Sequence, residues 1–149
     1  MATHIWTVLS ERSKIEEKSN VLSLDRVVEN VGVNIQDSGR SAEVAQLIVL
    51  PVNWSLVSFL RVQEGETFII HVDYVTPWNE VKRIATRKMS PPKKGDLFAR
   101  HILTVQDIGV RDGGLYRFQV SIQGSEDSIP EVVGVIPFNV TVDITAPVA

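Results

Sequence analysis

The residues best placed to do chemistry in this sequence are a histidine and an aspartate two positions apart. His71 and Asp73 lie in residues 67–75, where apolar and polar residues alternate. Side chains at such positions of a β-strand share one face and lie roughly 7 Å apart. If His101 came alongside from a neighbouring strand, the three side chains could bind a divalent metal, or the His-Asp pair alone could act as a base. We favour the alternative of a polar strand face in contact with solvent.

Signatures of other catalytic classes are missing. The sequence has no cysteine, which excludes disulfides, thiolate-bound zinc or iron–sulfur clusters and a cysteine nucleophile. It has no Gly-x-Ser-x-Gly elbow, Walker loop, dinucleotide-binding glycine motif or His-Glu-x-x-His helix. Glu16, Glu17 and Glu66 lie in predicted turns, where solvent would surround their carboxylates and leave them unsuited to general-acid catalysis. We therefore predict no catalytic residue and no cofactor, and favour a role that is not enzymatic.

Positive charge is concentrated in one stretch of a chain whose net charge is -3. Residues 82–94 contain six cations: Lys82, Arg83, Arg87, Lys88, Lys93 and Lys94. These side chains could contact phosphates or an acidic partner, with an affinity that falls as salt rises. No aromatic residue between Trp78 and Phe98 offers a surface for base stacking, and the pI of about 5.6 is acidic. We favour a solvated loop and expect no nucleic-acid partner, with weak nucleic-acid binding as the alternative.

The elements that must hold these side chains are β-strands. Valine occurs 23 times and isoleucine 13 times, against 10 leucines and 7 alanines. β-Branched side chains pack well on a pleated sheet and lose rotamer freedom in helices. Alternating segments separated by turn residues recur about every 8–12 residues, which is typical of a β-sandwich or barrel. We therefore predict an all-β chain folded as an antiparallel β-sandwich.

The predicted strands follow from this alternation. An opening hairpin comprises residues 5–12 and 21–29, and residues 34–43 form a polar loop with a helical turn near Ser41. Further strands are predicted at residues 47–50, 54–62, 67–75, 80–87, 97–108, 116–122 and 138–144, with Pro137 at an edge or a bulge. Residues 1–144 form one domain in this interpretation, and residues 145–149 form a terminal tail.

One seven-residue motif makes the sandwich more specific. Residues 112–118, Asp-Gly-Gly-Leu-Tyr-Arg-Phe, resemble the Asp-x-Gly-x-Tyr-x-Cys entry into strand F of immunoglobulin domains, with phenylalanine at the cysteine position. The resemblance implies that Tyr116 is a corner tyrosine, bonded through its hydroxyl to the backbone upstream and packed in the core. It gives Asp112 and Gly114 structural roles and makes Trp54 the candidate for the buried strand-C tryptophan. Without the cysteine pair, hydrophobic contacts alone would join the sheets.

A wider similarity covers most of the chain. Its parts are the opening hairpin from Trp6, Leu50-Pro51 before an apolar strand, Gly65-Glu66-Thr67-Phe68, the Gly114 to Phe118 segment and a closing Ile136-Pro137-Phe138-Asn139-Val140. This order resembles a family of small uncharacterised bacterial proteins with immunoglobulin-like sandwiches. The resemblance implies an immunoglobulin-like sandwich of about 7–9 strands with little helix, and it carries no assigned chemistry. Residues 32–46 and 82–96 exceed that pattern and are either decoration or the part that carries specificity.

An apolar strand favours a binding or assembly role. Residues 132–136, Val-Val-Gly-Val-Ile, are uncharged, as expected of an exposed strand edge that a partner covers through main-chain hydrogen bonds. We expect a protein partner or self-association through Val133 and Val135, through a long loop with Lys93 and Lys94, or through Trp78. For Trp78, packing in the core or at the rim of a strand is the favoured alternative to an exposed binding position. A metal-dependent enzyme using the His/Asp strand site is the alternative, and the sequence indicates no class of small-molecule ligand.

Signals for membranes and export are absent from the sequence. No apolar segment reaches about 18 residues, the length expected of a membrane-spanning helix. The first residues lack a basic leader followed by a continuous hydrophobic stretch. We therefore expect no membrane span, no signal peptide and a cytoplasmic location.

Overall fold

The computed structural model describes residues 2–16, 19, 21–36, 48–90 and 97–145. These residues form nine β-strands and no helix, which confirms the predicted all-β class. Within them, no helix is long and apolar enough to cross a membrane. The helical turn predicted near Ser41, the loop residues Lys93 and Lys94, and residues 146–149 of the predicted tail lie outside the described residues.

Most predicted strands are confirmed with shifted ends. In chain order the strands are β1 (Thr3–Ile15), β2 (Leu22–Val27), β3 (Asn30–Gln36), β4 (Ile48–Arg61), β5 (Phe68–Val75), β6 (Val81–Met89), β7 (Phe98–Val110), β8 (Gly114–Gln123) and β9 (Glu131–Thr145). Residues 47–50 and 54–62 were predicted as two strands, and this was wrong. They belong to the single strand β4, because a register shift between Leu50 and Asn53 absorbs the break in the pattern.

Two packed sheets build a β-sandwich. Sheet 1 has the strand order β2-β1-β4-β7, and sheet 2 has the order β3-β9-β8-β5-β6. The predicted opening hairpin is confirmed as the antiparallel pair of β1 and β2. The other pairs are also antiparallel, except that β3 and β9 run parallel.

β3 corrects the prediction that residues 34–43 form a loop, because residues 34–36 complete this strand. Val28 donates its backbone N–H to Leu9 of sheet 1, at 2.8 Å. Asn139 of sheet 2 donates its backbone N–H to the backbone carbonyl of Glu29, also at 2.8 Å. The chain therefore passes from one sheet to the other within two residues, and each of these two residues is hydrogen-bonded to a different sheet.

Alternating side chains from both sheets fill the space between them, as predicted for residues 67–75 and 116–122. The buried core set on sheet 2 comprises Val33, Phe68, Ile70, Val72, Tyr74, Met89, Tyr116, Phe118, Val120, Ile122, Phe138 and Val140. Trp54 of sheet 1 packs edge-on against Phe138, with ring centroids 5.5 Å apart, and is buried as predicted. Fully burying one large apolar side chain contributes about 1.5–3 kcal/mol, so these contacts are the main stabilising term.

The corner formed by Tyr116 agrees with the prediction. Its hydroxyl donates a hydrogen bond to the backbone carbonyl of Asp112, at 2.6 Å, and accepts one from the backbone N–H of Arg111, at 3.2 Å. Gly114 has a φ of 148°, and a Cβ at this position would lie 3.0 Å from Cγ of Pro77. Both the backbone angle and the close approach therefore require glycine.

β9 is an inner strand at residues 139–140 and, among the described strands, an edge over residues 131–137, which confirms the strand edge predicted at residues 132–136. β3 pairs with residues 139–145, whereas residues 131–137 pair with β8 alone among the described strands. The backbone N–H of Asn139 points toward β3. Backbone groups two residues apart point to the same side of a strand, so the nitrogen of Pro137 also faces that side. No described strand pairs with β9 there, so the missing N–H of proline costs no hydrogen bond of the sheet. β1 of sheet 1 comes close to this part of β9, since a Cβ on Gly134 would lie 3.2 Å from the ring of His4.

Candidate functional site

An open cleft between the free edges of the two sheets is the candidate site. It lies between β6 of sheet 2 and β7 of sheet 1 and has a volume of about 360 Å³. Its apolar lining comes from Tyr74 and Phe118 of sheet 2 and from Leu103, Val105 and Ile108 of β7. Ligand pockets usually measure about 300–1,000 Å³, so the cleft is large enough to hold a ligand group. Side chains of the sandwich core therefore form part of the wall of this cleft.

Polar side chains form the rim of the cleft: Thr76, Glu80, Lys82, Thr104, Gln106 and Asp107. Thr76 accepts the backbone N–H of Glu80 through its hydroxyl oxygen, at 3.0 Å, which fixes the turn before β6. Asp107 has a φ of 58°, a left-handed conformation that interrupts the regular alternation of β7. An apolar interior with a few polar groups at its mouth is typical of a binding site.

Tyr74 forms the floor of the cleft and connects the two sheets. Its hydroxyl donates a hydrogen bond to the backbone carbonyl of Gly109, at 2.7 Å. Burial, with Tyr116 nearby, raises the pKa of Tyr74 well above its usual value. The hydroxyl therefore stays protonated at neutral pH and acts as a fixed donor, not as a base.

Trp78 lies at one end of the cleft and is half-buried, which agrees with the packed position favoured for it over an exposed one. Its indole Nε1 donates to the carboxylate of Glu80, at 2.9 Å. The guanidinium of Arg111 lies 4.2 Å from the centroid of its ring, a distance typical of a cation–π contact. These contacts hold the indole in place, so it forms a rigid wall of the cleft.

The two strands that flank the cleft differ as pairing edges. β6 contains four cations, Lys82, Arg83, Arg87 and Lys88, and its extra residue, between Arg83 and Ala85, makes a bulge in the pairing with β5. Charges and bulges on an edge strand hinder pairing with another chain. β7 has no charged residue over residues 102–106 and keeps a continuous register there with β4. β7 is therefore the edge more open to an added strand.

The backbone of β7 presents unpaired groups to the cleft. Val62 donates its N–H to the carbonyl of Leu97, at 2.7 Å, which marks a hydrogen-bonded pair of the β4–β7 ladder. Hydrogen-bonded and non-hydrogen-bonded pairs alternate along an antiparallel ladder. Counting along the register, Ile102 and Thr104 occupy non-hydrogen-bonded positions opposite Val57 and Ser55. Their N–H and C=O groups therefore point away from β4, on the side where no described strand pairs with β7.

His71 and Asp73 share the outer face of sheet 2, but the interpretation of a solvated polar face is wrong. Their residues are only 6% and 8% exposed. The ring of His71 is hydrogen-bonded to Thr86 through Nδ1, at 2.9 Å, and to Gln123 through Nε2, at 2.7 Å. Arg83 donates to both carboxylate oxygens of Asp73, at 3.0 and 3.4 Å. Both groups already have partners within the sheet.

His101 does not meet His71 and Asp73. It lies on β7 opposite Ser58 and faces the interior, where it is 3% exposed. Burial, and secondarily the nearby Arg87, lower the pKa of His101, and its Nδ1 has no hydrogen-bond partner among the described residues. Among those residues, no group of three His, Asp or Glu side chains could hold a metal ion.

Three aromatic rings line up on the outer face of sheet 1. Trp6 and Phe59 stack with centroids 5.4 Å apart, and Phe59 and Phe98 stack at 5.2 Å. These separations are close to the spacing of neighbouring strands, about 4.8 Å, so the rings stand side by side and cover one another's faces. The row therefore stabilises strand pairing and leaves little ring surface for a base or a sugar.

The predicted partner-binding valines of β9 have different environments. Val133 is half-buried and packs against the core, whereas Val135 is 53% exposed. Val135 lies opposite Gln119 of β8.

Sequence reasoning missed the cleft altogether, because the position of the cleft depends on which strands end each sheet. The available signal was the charged, irregular pattern of residues 80–89, which marks an edge strand.

Comparison with known proteins assigns no family to the chain. No protein-family model matches it, and no curated protein is significantly similar to it. The case for a function therefore depends on the geometry of the cleft and of the strands beside it.

Proposed function

We propose that the protein is a non-catalytic binding or assembly module that holds an extended segment of a protein partner in the cleft. The observation that carries this proposal is the combination of an apolar cleft with an uncharged strand edge at residues 102–106 of β7, on whose outer side no described strand pairs. A strand added there would extend sheet 1 through main-chain hydrogen bonds. Its inward side chains would enter the cleft beside Tyr74 and Phe118.

The chemistry of the cleft supports binding over catalysis. The described residues that line it include no histidine. The hydroxyls of Tyr74 and Thr76 are already engaged with backbone groups. These two hydroxyls are therefore not free to act as the activated nucleophile that covalent catalysis requires. In this proposal Ile102 and Thr104 supply backbone hydrogen bonds, and Leu103 supplies apolar contact.

The similarity to small bacterial proteins with immunoglobulin-like sandwiches fits this role, because such scaffolds present binding sites at their edges and loops. A sandwich fold alone assigns no function, so the similarity adds only to the plausibility of a binding module. A single domain and a cytoplasmic location are part of the same proposal.

The test uses proline to block the edge of β7 without breaking its ladder with β4. Thr104→Pro removes an N–H that points away from β4, so the fold should persist while strand addition fails. Thr104→Val keeps that N–H and is the matched control. Peptides selected on the wild-type protein from a phage-displayed random library serve as probes, and their affinities are measured by fluorescence anisotropy. We expect Thr104→Pro to weaken binding at least about tenfold, and Thr104→Val to leave it within about twofold.

Two results would contradict the proposal. One is the enrichment of no peptide on the folded wild-type protein. The other is equal affinity of the selected peptides for Thr104→Pro and Thr104→Val, since their binding would then not involve the free edge of β7. Circular dichroism of all three proteins verifies that each is folded.

A further inference from the structure

The charged groups at the rim of the cleft indicate what kind of segment the cleft holds. Three charged side chains line it, the carboxylates of Glu80 and Asp107 and the ammonium of Lys82. None of the three forms an ion pair with a described residue. Two carboxylates therefore accompany one ammonium, and the rim is acidic although the strand β6 beside it is basic.

Arg83 and Arg87, which also belong to β6, do not offset the acidic rim. The guanidinium of Arg83 is bound to Asp73 on the outer face of sheet 2. Arg87 lies opposite Ile70, and neither residue lines the cleft. Four residues of β5 separate Ile70 from Tyr74 at the floor of the cleft, which corresponds to roughly 13 Å along the strand. The charge of Arg87 is therefore displaced from the acidic groups.

Asp107 is the carboxylate that lies beside the free edge of β7. It follows Val105 by two residues, and both residues line the cleft. Its carboxylate has no hydrogen-bond partner among the described residues, whereas the carboxylate of Glu80 accepts the indole N–H of Trp78. An aspartate holds its charge close to the backbone on a short side chain, so the position of this negative charge along β7 is well defined. Asp107 is thus the acidic group available to a partner.

A strand added to β7 presents its side chains to the cleft in a fixed order. Cross-strand neighbours share a face of the sheet, so partner residues opposite Leu103 and Val105 point into the cleft. The next partner residue on that face is two positions away and lies beside Asp107. All strand pairs of sheet 1 are antiparallel. A partner that continues this arrangement reaches Asp107 first, then Val105 and then Leu103.

We propose that the partner segment carries a lysine or arginine beside Asp107, followed at alternate positions by two apolar side chains that enter the cleft. This inference rests on the proposed function and names the chemical class of its partner. The apolar pair supplies the buried contact. The basic residue selects the register and the direction of the segment, because opposite charges at the rim of an interface act mainly on orientation and specificity.

Peptides selected from the phage-displayed library test the order of residues directly. We expect sequences enriched on the wild-type protein to share a lysine or arginine two positions before the first of two alternating apolar residues. Selection on Asp107→Asn should lose the basic residue and keep the apolar pair. Asparagine is the conservative replacement, because it also tolerates the positive φ of this position. Asp127→Asn removes the same charge outside the cleft lining and should select the same sequences as the wild type.

A double-mutant cycle measures the contact between the basic residue and Asp107. The tightest wild-type peptide, and a version with glutamine in place of its basic residue, are titrated against the wild-type protein and Asp107→Asn. Fluorescence anisotropy is recorded at low ionic strength, where exposed charges are least screened. We expect the glutamine to weaken binding to the wild-type protein about two- to fivefold and to leave binding to Asp107→Asn unchanged.

Two results would overturn the inference. One is the enrichment of peptides that lack the basic residue at the expected position. The other is an equal loss of affinity from the glutamine in both proteins, since the basic residue would then not contact Asp107. If such peptides still bind more weakly to Thr104→Pro, the proposed function stands without this inference. The enrichment of no peptide refutes both, so the two failures are distinguishable.

Discussion

At the scale of single residues, several buried polar side chains of this protein are hydrogen-bonded to one another. Both ring nitrogens of His71 and both carboxylate oxygens of Asp73 have partners within sheet 2. In the interior, the hydroxyl of Thr7 lies 2.6 Å from His4 Nε2 and 2.9 Å from Ser58 Oγ. A buried polar group without a hydrogen bond destabilises the fold by about 1–3 kcal/mol, so these pairings are needed for stability alone. They require no catalytic explanation.

The hydroxyl of Tyr116 is the single polar group whose removal should be most visible. Tyr116→Phe keeps the buried ring but leaves the carbonyl of Asp112 and the N–H of Arg111 without this partner. We expect a loss of about 1–3 kcal/mol in the free energy of unfolding, measured in urea. Tyr74→Phe loses only one hydrogen bond and is the matched control, with a smaller expected loss. Equal stability of Tyr116→Phe and the wild type would argue that the corner contributes nothing.

At the scale of elements, the sequence predicts strands well and their neighbours poorly. The alternation of Phe68, Ile70, Val72 and Tyr74 identified both β5 and its core face, because apolar residues at alternate positions of a strand share the face that packs on the core. Nothing in residues 30–36 marked a parallel pairing with β9, since that contact is between segments distant in sequence. The cleft escaped prediction for the same reason, because it exists only where β6 and β7 end their sheets.

The close approach of β1 and β9 depends on a glycine. A Cβ at Gly134 would lie 3.2 Å from Cε1 and Nε2 of His4 and 3.6 Å from Oγ1 of Thr7. Gly134→Val should therefore separate the strands and lower the free energy of unfolding by about 1–3 kcal/mol. Combining it with His4→Ala, which removes the obstructing ring, should recover part of that loss in a double-mutant cycle. Strictly additive losses in urea unfolding would show that the ring of His4 is not the obstacle.

At the scale of the whole molecule, the sandwich is closed on one side and open on the other. On the closed side, β1 and β9 come close at Gly134. There the backbone of Val28 is hydrogen-bonded to sheet 1, and the backbone of Glu29 is hydrogen-bonded to sheet 2. On the open side, Tyr74 spans the gap to β7 with one hydrogen bond, and the cleft remains. The apolar cleft of the described residues lies on this open side, which is why the proposed function concerns it.

The interior histidines also make the stability of the whole molecule depend on pH. Burial lowers the pKa of His101, with the nearby Arg87 adding to the effect, and burial also lowers the pKa of His4. The unfolded chain, with histidines near pKa 6.5, therefore binds more protons than the folded one below about that pH. Stability should be full above about pH 7 and fall as the pH drops below 6.5, by up to about 1.4 kcal/mol per pH unit for each histidine.

Urea unfolding at a series of pH values measures the slope of the free energy of unfolding against pH. His101→Gln removes one of the two imidazoles whose pKa is lowered. It should therefore make the free energy of unfolding depend less on pH, even if it also reduces stability at neutral pH. Val105→Ala destabilises the same strand through a smaller core side chain and should keep the wild-type slope, because it changes no titrating group. An unchanged slope in His101→Gln, or a wild-type free energy that stays constant between about pH 8 and 5.5, would contradict the assignment. The comparison separates the charge of the buried imidazole from its packing, since only the first depends on pH.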